Sequence, residues 1–350
     1  MTGDPLLDVV DLVTHFYTEQ AVVRAVDGVS LRLEQGRTLG IVGESGSGKT
    51  ILSRSIMGLL PRRNVVRRGE VRFQGRDIAK LAERELSRIW GADIAMVFQD
   101  PMTSLNPVVR LGRQLTEHIQ VHTGVGKKEA RNRAVDLLRS VGIPEARRRL
   151  REYPHQLSGG MRQRVMIAVA LACGPKLLLA DEPTTALDVT VQAQILDLLT
   201  AQQEERHMGM ILVTHDLGVV AGRTDEIAVM YAGKVVEKAP TRTLFTDMRM
   251  PYTEALIQSI PRLANPSHTR LTVIPGRPPD LGRPLAGCRF APRCAYAQDR
   301  CSVEEPPLVE AAPGHSYACW YPVGTPEGSD ALARNRRNGQ IHSSAAIGEA

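Results

Sequence analysis

The segment GESGSGKT, residues 43–50, decides the fold, because it fits the pattern G-x-x-x-x-G-K-[ST] at every fixed position. The apolar stretch TLGIVG before it predicts a strand, and ILSRSIMGLL after it predicts a helix that ends at Pro61. A strand, a glycine-rich loop and a helix in this order direct backbone N–H groups and the helix dipole to one point. That point favours a polyphosphate anion, and we call residues 43–50 the phosphate loop.

The phosphate loop also carries the side chains that a nucleoside triphosphate needs. Gly46 and Gly48 allow the backbone to approach the phosphates without an intervening Cβ. Lys49 supplies a positive charge for the β- and γ-phosphates, and the Thr50 hydroxyl is placed to bind Mg²⁺. The predicted nucleotide-binding residues of the loop are Gly43, Glu44, Ser45, Gly46, Ser47, Gly48, Lys49 and Thr50.

The composition of the 350-residue chain is that of a soluble globular protein, with 43% hydrophobic and 23% charged residues. No apolar run approaches the ~18 residues of a membrane span, and the N-terminus lacks the basic region of a secretion signal. We therefore expect a cytoplasmic protein whose contact with a membrane depends on partner chains. The net charge of +6 is dispersed, and 4% aromatic residues supply few base-stacking groups, so no nucleic-acid partner is expected.

The order of segments predicts an α/β fold. Residues 1–260 alternate strand-like and helix-like stretches, as in a P-loop NTPase core with a mostly parallel sheet. Between about residues 100 and 160 the strand signals disappear, which predicts an inserted helical subdomain. Prolines become frequent from residue 261 and lead into a small C-terminal extension, residues 261–323, with four cysteines. Residues 324–350 are expected to form a disordered tail.

A second phosphate-chemistry motif is LLLADEP, in which an apolar strand ends in two acidic residues. The Asp181 carboxylate is suited to hold the Mg²⁺ shell. Glu182 follows directly and is suited to orient and polarise the attacking water. Strands often end in acidic residues, so this motif is informative because it accompanies the phosphate loop.

The run LSGGMRQR, residues 157–164, resembles the signature motif of ATP-binding cassette (ABC) ATPases. Its small residues begin a new helix, where free N–H groups point outward and can clamp a second phosphate. In this family the signature of one subunit closes on the ATP of another, so the resemblance implies a composite site. The residues expected at the partner's ATP are Leu157, Ser158, Gly159, Gly160, Met161, Arg162 and Gln163.

Four further positions match the ABC family in order along the chain. Gln99 in VFQDP matches the Q-loop, which implies a role near Mg²⁺ and the membrane partner. Asp188 matches the D-loop, and His215 in LVTHD matches the switch histidine at the γ-phosphate. Phe16 lies where the family places its adenine-stacking aromatic, and the adjacent Tyr17 is the alternative. The resemblance implies that ATP and Mg²⁺ are bound and that ATP is hydrolysed.

The cysteines are unevenly placed. Cys173 lies in an apolar, helix-like run and is expected to be a packed core thiol. The other four follow C-x5-C-x6-C-x17-C, which differs from the C-x2-C pairing of zinc ribbons. Four thiolates suit an iron–sulfur cluster or zinc, and bare thiols are the third alternative. These residues are Cys288, Cys294, Cys301 and Cys319.

The extension resembles the C-terminal region of ATPases in oligopeptide and dipeptide importers, some of which carry a [4Fe–4S] cluster. The resemblance therefore favours the cluster. For His315 a supporting or surface role is expected, with a role as a metal ligand as the alternative. It implies the ATPase subunit of a peptide importer, peripheral on the cytoplasmic face of the membrane. Expected partners are a second ATPase subunit, identical or different, two transmembrane permease subunits and an extracytoplasmic solute-binding protein. An importer of nickel, glutathione or another small solute is one alternative, and a soluble non-transport ABC ATPase is another.

Overall fold

The structure is a computed structural model that describes residues 4–61, 63–185, 187–260 and 274–339. Its strands form one sheet of four strands and one of eight. They are β1 (Leu7–Tyr17), β2 (Val22–Leu33), β3 (Thr38–Val42), β4 (Val65–Phe73), β5 (Arg76–Asp77), β6 (Ile94–Val97), β7 (Leu177–Asp181), β8 (Gly209–Thr214), β9 (Glu226–Tyr231), β10 (Lys234–Pro240), β11 (Val309–Ala312) and β12 (His315–Tyr317).

Most of the α-helices connect strands of the two sheets, and five of them, between residues 101 and 171, form one helical block. They are α1 (Lys49–Met57), α2 (Glu83–Ile89), α3 (Pro101–Ser104), α4 (Leu111–Thr123), α5 (Lys127–Ser140), α6 (Ala146–Arg149), α7 (Gly159–Leu171), α8 (Val189–Arg206), α9 (Leu217–Val220), α10 (Thr241–Thr246), α11 (Pro251–Gln258), α12 (Asp299–Val303) and α13 (Pro326–Arg337). None of these described helices is long and apolar enough to span a membrane.

The larger sheet has the strand order β11-β12-β10-β9-β3-β8-β7-β6. Strands β9, β3, β8, β7 and β6 run parallel, and β10, β12 and β11 continue the sheet with antiparallel pairing. Every residue of β3, β7 and β8 is buried, as expected for parallel strands covered on both faces. The predicted α/β fold with a mostly parallel sheet is thereby confirmed.

The helical block lies between β6 and β7 and contains α3 to α7. Its core includes Leu111, Leu115 and Ile119 of α4, which recur every four residues on one helix face and are fully buried. Helix α7 packs on both α4 and α5 and leads back into the sheet through β7. The block therefore shares one core with the parallel sheet.

The C-terminal extension is attached to the larger sheet. Strand β12 pairs with β10, so the extension adds two strands to the edge of the ATPase core. The sequence did not predict this pairing, because β11 and β12 are short and only partly apolar.

The expectation of a disordered tail from residue 324 is wrong for residues 326–337, which form α13. The Thr325 hydroxyl caps this helix by accepting from the Gly328 N–H at 3.1 Å, and Pro326 occupies its first turn. Ala331 and Asn335 are buried, and the Asn335 amide donates to backbone oxygens next to the cysteines. The charged residues that suggested disorder lie mainly on the exposed face of α13. Residues 340–350 of the predicted tail lie outside the described residues.

Candidate functional site

The phosphate loop connects β3 to α1 in a conformation that requires two of its glycines. A Cβ at Gly43 would lie 2.1 Å from the Met230 carbonyl oxygen, so no larger residue fits there. Gly48 has a φ of 103°, and a Cβ on it would lie 2.1 Å from the Ala25 carbonyl oxygen. The loop is thus pressed against β9 and β2, and its N–H groups lie at the start of α1 as an anion site requires.

Lys49 is 4% exposed and lies beneath the phosphate loop. Its ammonium donates to the carbonyl oxygens of Gly43 at 2.7 Å and Glu44 at 3.1 Å. Burial lowers the pKa of Lys49 from its ordinary value, while the carboxylates of Glu182, Asp181 and Glu44 oppose that shift. A polyphosphate placed at the loop would compensate the same charge.

Asp181 ends β7 and is 1% exposed. Its carboxylate accepts a hydrogen bond from the Thr50 hydroxyl at 3.1 Å. Burial raises the pKa of Asp181, and the Thr50 hydrogen bond opposes this shift. A buried carboxylate and a hydroxyl in contact at the start of α1 are oxygen donors of the kind that Mg²⁺ prefers, so these residues fit the ion.

The Glu182 side chain contacts the other residues that are predicted to act in hydrolysis. One carboxylate oxygen accepts from Gln99 Nε2 at 3.2 Å and from the Thr185 hydroxyl at 3.0 Å, and it lies 3.3 Å from His215 Nδ1. The other oxygen lies 3.8 Å from Lys49 Nζ. The side chain is 10% exposed, whereas that of His215 is 55% exposed. The carboxylate is therefore oriented by polar neighbours on several sides and remains accessible from the solvent.

Two residues of this site were missed by sequence reasoning. Tyr252 accepts the Glu44 N–H on its hydroxyl at 2.8 Å, although it is more than two hundred residues away in the sequence. No local pattern around Tyr252 predicts that contact. Thr185 orients Glu182 and lies just beyond the acidic motif, in DEPTT. Its position three residues after Glu182 in the sequence could have identified it as a neighbour of that carboxylate.

The signature residues do not join this cluster. Ser158 caps α7 and accepts from the Met161 N–H at 3.4 Å, and both Ser158 and Gly159 are exposed. Within the described residues, no hydrogen bond or ion pair connects residues 157–163 to the phosphate loop. The exposed start of α7 is thus free to meet another molecule.

The other signature residues, Gly160 included, are buried or half-buried. Leu157 is buried, and Met161 packs against the core of the helical block. Arg162 donates from Nε to the Pro154 carbonyl oxygen at 2.8 Å. Gln163 is 2% exposed and its amide nitrogen has no partner among the described residues. Arg162 thus ties α7 to the preceding turn, and the exposed Ser158 and Gly159 provide the outer surface.

The two remaining predicted positions lie outside the cluster around Glu182. Phe16 is partly buried near the end of β1, opposite Val23 and Val65 on the neighbouring strands, while the adjacent Tyr17 is 45% exposed. Asp188 caps α8 by accepting from the Val191 N–H at 2.9 Å. Both positions are accessible at element ends, as expected for residues that contact a ligand or a second subunit.

The four cysteines of the extension are buried or half-buried in the same part of the fold. Burial raises the pKa of all four thiols, to about 12 at Cys319, and repulsion from the other three raises that of Cys294 further. Backbone N–H groups point at the sulfurs, from Tyr296 to Cys294 Sγ at 3.3 Å and from Tyr321 to Cys319 Sγ at 3.4 Å. Cys301 is buried and the other three are half-buried, so these thiols are largely withdrawn from water.

Among the described residues, the structure does not form a metal centre at the cysteines. All five cysteines are free thiols, and among the described residues no group of three or more His, Cys, Asp or Glu side chains is positioned to hold a metal ion. His315 is buried and its Nε2 lies 2.9 Å from the Glu237 carboxylate, on β10. That histidine therefore anchors the extension to the sheet. Cys173, expected to be a packed core thiol, is only half-buried, and its Sγ lies 3.9 Å from the His118 carbonyl oxygen on α4.

Two family matches cover most of the chain. Residues 26–185 match the ABC transporter family, and residues 236–301 match the oligopeptide/dipeptide transporter C-terminal region. The first match contains the phosphate loop, the signature and the acidic motif, and the second contains three of the four cysteines.

Curated relatives extend this likeness to nearly the full length. The chain is 51% identical over 319 residues to a probable peptide ABC transporter ATP-binding protein, y4tR, of Sinorhizobium fredii, covering 91% of this chain and 95% of the relative. It is 50% identical to the dipeptide transport ATP-binding protein DppD of Escherichia coli, covering 91% and 97%. It is 49% identical to the oligopeptide transport ATP-binding protein OppD of Bacillus subtilis, covering 90% and 88%.

Solved structures agree with the fold of the ATPase core. The dimeric ATP-binding cassette MJ0796 bound to ADP and Pi superimposes with a TM-score of 0.61 at 29% identity, covering 67% of this chain and 99% of that one. The family of this chain is shown by its identity of about 50% to these relatives over nearly all of their length. This chain belongs to the ABC transporter family, as an ATP-binding protein of the peptide-transporter type.

Proposed function

We propose that this chain is the ATP-hydrolysing subunit that powers import of oligopeptides or dipeptides through partner permeases. The observation that carries the proposal is the convergence of Lys49, Gln99 and His215 on Glu182 in a chain with the peptide-transporter extension. Relatives named for dipeptide and oligopeptide transport share about half of its residues. A protein that only sensed metal or redox state would not need this hydrolysis set.

In the proposed site, the N–H groups of the phosphate loop and the Lys49 ammonium bind the β- and γ-phosphates of ATP. Phe16 stacks on the adenine. Thr50, Asp181 and Gln99 are the residues that would hold Mg²⁺, which offsets the negative charge of the phosphates when bound. The Thr50–Asp181 contact of 3.1 Å supports this set, because the two donors already lie side by side.

For hydrolysis, Glu182 orients the attacking water and accepts its proton. Gln99, Thr185 and His215 hold one oxygen of Glu182 and so fix the direction of the other. Lys49, beneath the loop, stabilises charge that develops on the γ-phosphate. His215 is exposed enough to contact that phosphate directly, which fits its proposed role as the switch residue.

A second ATPase subunit completes the site. The exposed Ser158 and Gly159 at the start of α7 have no hydrogen bond to this chain's own phosphate loop among the described residues and would close on ATP held by the partner. Asp188 lies at the start of α8, where the neighbouring Val189 is 82% exposed, as expected for a subunit contact. The solved relative of this fold is itself dimeric.

The wider assembly follows from the peptide-transporter type. Two transmembrane permease subunits and an extracytoplasmic solute-binding protein would choose the substrate, and this chain would lie peripherally on the cytoplasmic face of the membrane. No nucleic acid is proposed as a partner.

In the extension, Cys288, Cys294, Cys301 and Cys319 would hold a [4Fe–4S] cluster. A cluster keeps its thiolates farther apart than one zinc ion does, whose Zn–S bonds are about 2.3 Å. The support for the cluster is the resemblance of the extension to the peptide-transporter C-terminal region and the four cysteines that the extension contains. The cluster would fix the fold of the extension.

The test is reconstitution of this chain with its permeases and binding protein in liposomes. We expect ATP hydrolysis to rise when a dipeptide or oligopeptide is present outside, with uptake of the peptide, and both to disappear in Lys49→Ala. Uptake of nickel or glutathione in place of peptide would contradict the proposed substrate. Full ATPase activity of the chain without membrane partners would instead favour a soluble, non-transport ATPase.

A further inference from the structure

One arginine of the extension reaches the phosphate loop directly. Arg293, which precedes Cys294, forms a two-pronged ion pair with Glu44: the distances are 2.6 Å from Nη1 to Oε2 and 2.9 Å from Nη2 to Oε1. Glu44 is the first variable position of the loop, next to Gly43. The two residues are separated by about 250 positions in the sequence, so this contact ties the extension to the nucleotide site.

The Arg293 guanidinium is fixed from several sides. Its side chain is 4% exposed, its Nε donates to the Pro275 carbonyl oxygen at 2.7 Å, and its Nη1 donates to the Tyr231 hydroxyl at 3.2 Å. The rings of Tyr231 and Phe290 lie within 6 Å of the guanidinium carbon. A planar group held in this way presents its fork in one direction, toward Glu44.

Glu44 in turn is held at its backbone as well as its side chain. Its N–H donates to the Tyr252 hydroxyl at 2.8 Å. Its carbonyl oxygen accepts from the Ser47 N–H and from Lys49 Nζ, each at 3.1 Å. Moving the Glu44 side chain would therefore disturb the residue that also positions Lys49.

The charge of Glu44 raises a problem for a loop that binds polyphosphate, because a carboxylate beside the phosphates repels them. The buried Arg293 cancels that charge and draws the carboxylate toward the extension. We propose that Arg293 is a positioning residue for ATP: it neutralises Glu44 and thereby sets the affinity of the phosphate loop. This inference rests on the proposed binding of ATP at that loop.

The test measures the dissociation constant of a fluorescent ATP analogue with Mg²⁺ on the purified full-length chain. We expect Arg293→Ala to weaken binding about five- to thirtyfold, the effect of one uncompensated charge near a partly buried site. Arg293→Lys keeps the charge and is expected to lose less than about threefold. The matched control is Arg300→Ala, which removes an exposed arginine from the same extension and leaves the affinity unchanged.

A double variant distinguishes neutralisation of Glu44 by Arg293 from a purely structural role of Arg293. Adding Glu44→Gln to Arg293→Ala removes the unpaired charge, so the affinity is expected to return to within about threefold of wild type. The Arg293→Ala defect is also expected to shrink at high salt, because screening weakens the repulsion. Wild-type affinity in Arg293→Ala, or no rescue by Glu44→Gln in a folded double variant, would overturn the inference. Failure of the wild-type chain to bind ATP would contradict the proposed function instead.

Discussion

The phosphate loop and the cysteine-containing extension differ in what holds them in place. Residues 43–50 are shaped by their own backbone, with glycines where β2 and β9 press closest and Lys49 bonded to carbonyl oxygens five and six residues before it. The extension is held by contacts far away in the sequence, such as Arg293 with Glu44 and His315 with Glu237. Local geometry can be read from a short motif, whereas long-range attachment needs the structure.

The two regions also differ in how replaceable their parts are. In the phosphate loop and around Glu182, single atoms do chemistry, so small changes are expected to have large effects on rate. In the extension the contacts are several and mutually supporting, so a single loss is expected to have smaller effects on ATP. This difference can be tested by measuring the ATPase rate and the ATP affinity of variants in the two regions.

The largest effect is expected from Glu182→Gln in the assembled transporter. The amide keeps the size and hydrogen bonding of the side chain but cannot accept the proton from water. A positioned general base contributes about 10²–10⁴-fold, so the ATPase rate should fall by that factor while ATP still binds. The measurement is phosphate release together with nucleotide affinity.

Glu204→Gln is the matched control, because Glu204 is exposed on α8 away from this cluster, and its rate should equal that of wild type. Near-normal turnover in Glu182→Gln would mean that another group acts on the water.

A smaller but still large effect is expected from Gly160→Asp. The new side chain would lie against Val191, whose Cγ1 is only 2.8 Å from the Cβ position, so the start of α7 would have to shift. The added carboxylate would also bring negative charge to the surface that is proposed to meet the partner's phosphates. Repulsion between the new carboxylate and the phosphates of the partner's ATP is expected to lower ATPase activity about a hundredfold. ATP should still bind through the chain's own phosphate loop, and nucleotide-dependent dimerisation should be lost.

The control here is Gly126→Asp, at the exposed start of α5, where an added Cβ meets nothing within 4 Å. Loss of ATP binding by monomeric Gly160→Asp would contradict the two-subunit arrangement.

The sequence predicted the parts of the molecule that are local. The strand before the phosphate loop, the acidic strand end at Asp181 and the α/β sheet follow from short patterns of apolar residues and glycines, and the fold that they predict is confirmed. The Glu44–Arg293 pair and the pairing of β12 with β10 were not predictable, because each joins segments far apart in the chain. Helix α13 was missed because its apolar face is only a few residues wide.

In the extension, Cys294→Ser is expected to act on both the metal and the nucleotide. Anaerobically purified wild-type protein should be brown from thiolate-bound iron and sulfide, and the variant should be bleached and cleaved by protease within the extension. Because Cys294 adjoins Arg293, the ATP affinity should fall about fivefold, through the same charge as in Arg293→Ala.

Cys173→Ser, at a half-buried position next to α4, should keep the colour and the affinity. Stoichiometric zinc without iron in the wild-type protein would replace the cluster by a zinc site, and absence of both metals would leave bare thiols.

The smallest effect on ATP is expected from Asn335→Ala in α13. The buried Asn335 amide donates to the carbonyl oxygens of Ala295 and Ala297 at 2.9 and 2.8 Å and accepts from Gln298 Nε2 at 2.9 Å. Truncation leaves the Ala295 carbonyl oxygen without its donor, whereas that of Ala297 keeps its bond from Gln298 Nε2. The free energy of unfolding is expected to fall by about 1–3 kcal/mol. The ATP affinity should change less than about twofold, because Arg293 keeps its own contacts.

Chemical unfolding monitored by tryptophan fluorescence measures this change, since Trp320 lies in the extension with its indole bonded to the Glu304 carbonyl oxygen. Asn338→Ala, at the exposed end of the same helix, is the control and should leave the transition unchanged. Equal stability of both variants would mean that α13 does not brace the cysteines. A large loss of ATP affinity in Asn335→Ala would mean that the extension acts on the phosphate loop as one cooperative unit, and the contrast between the two regions would then fail.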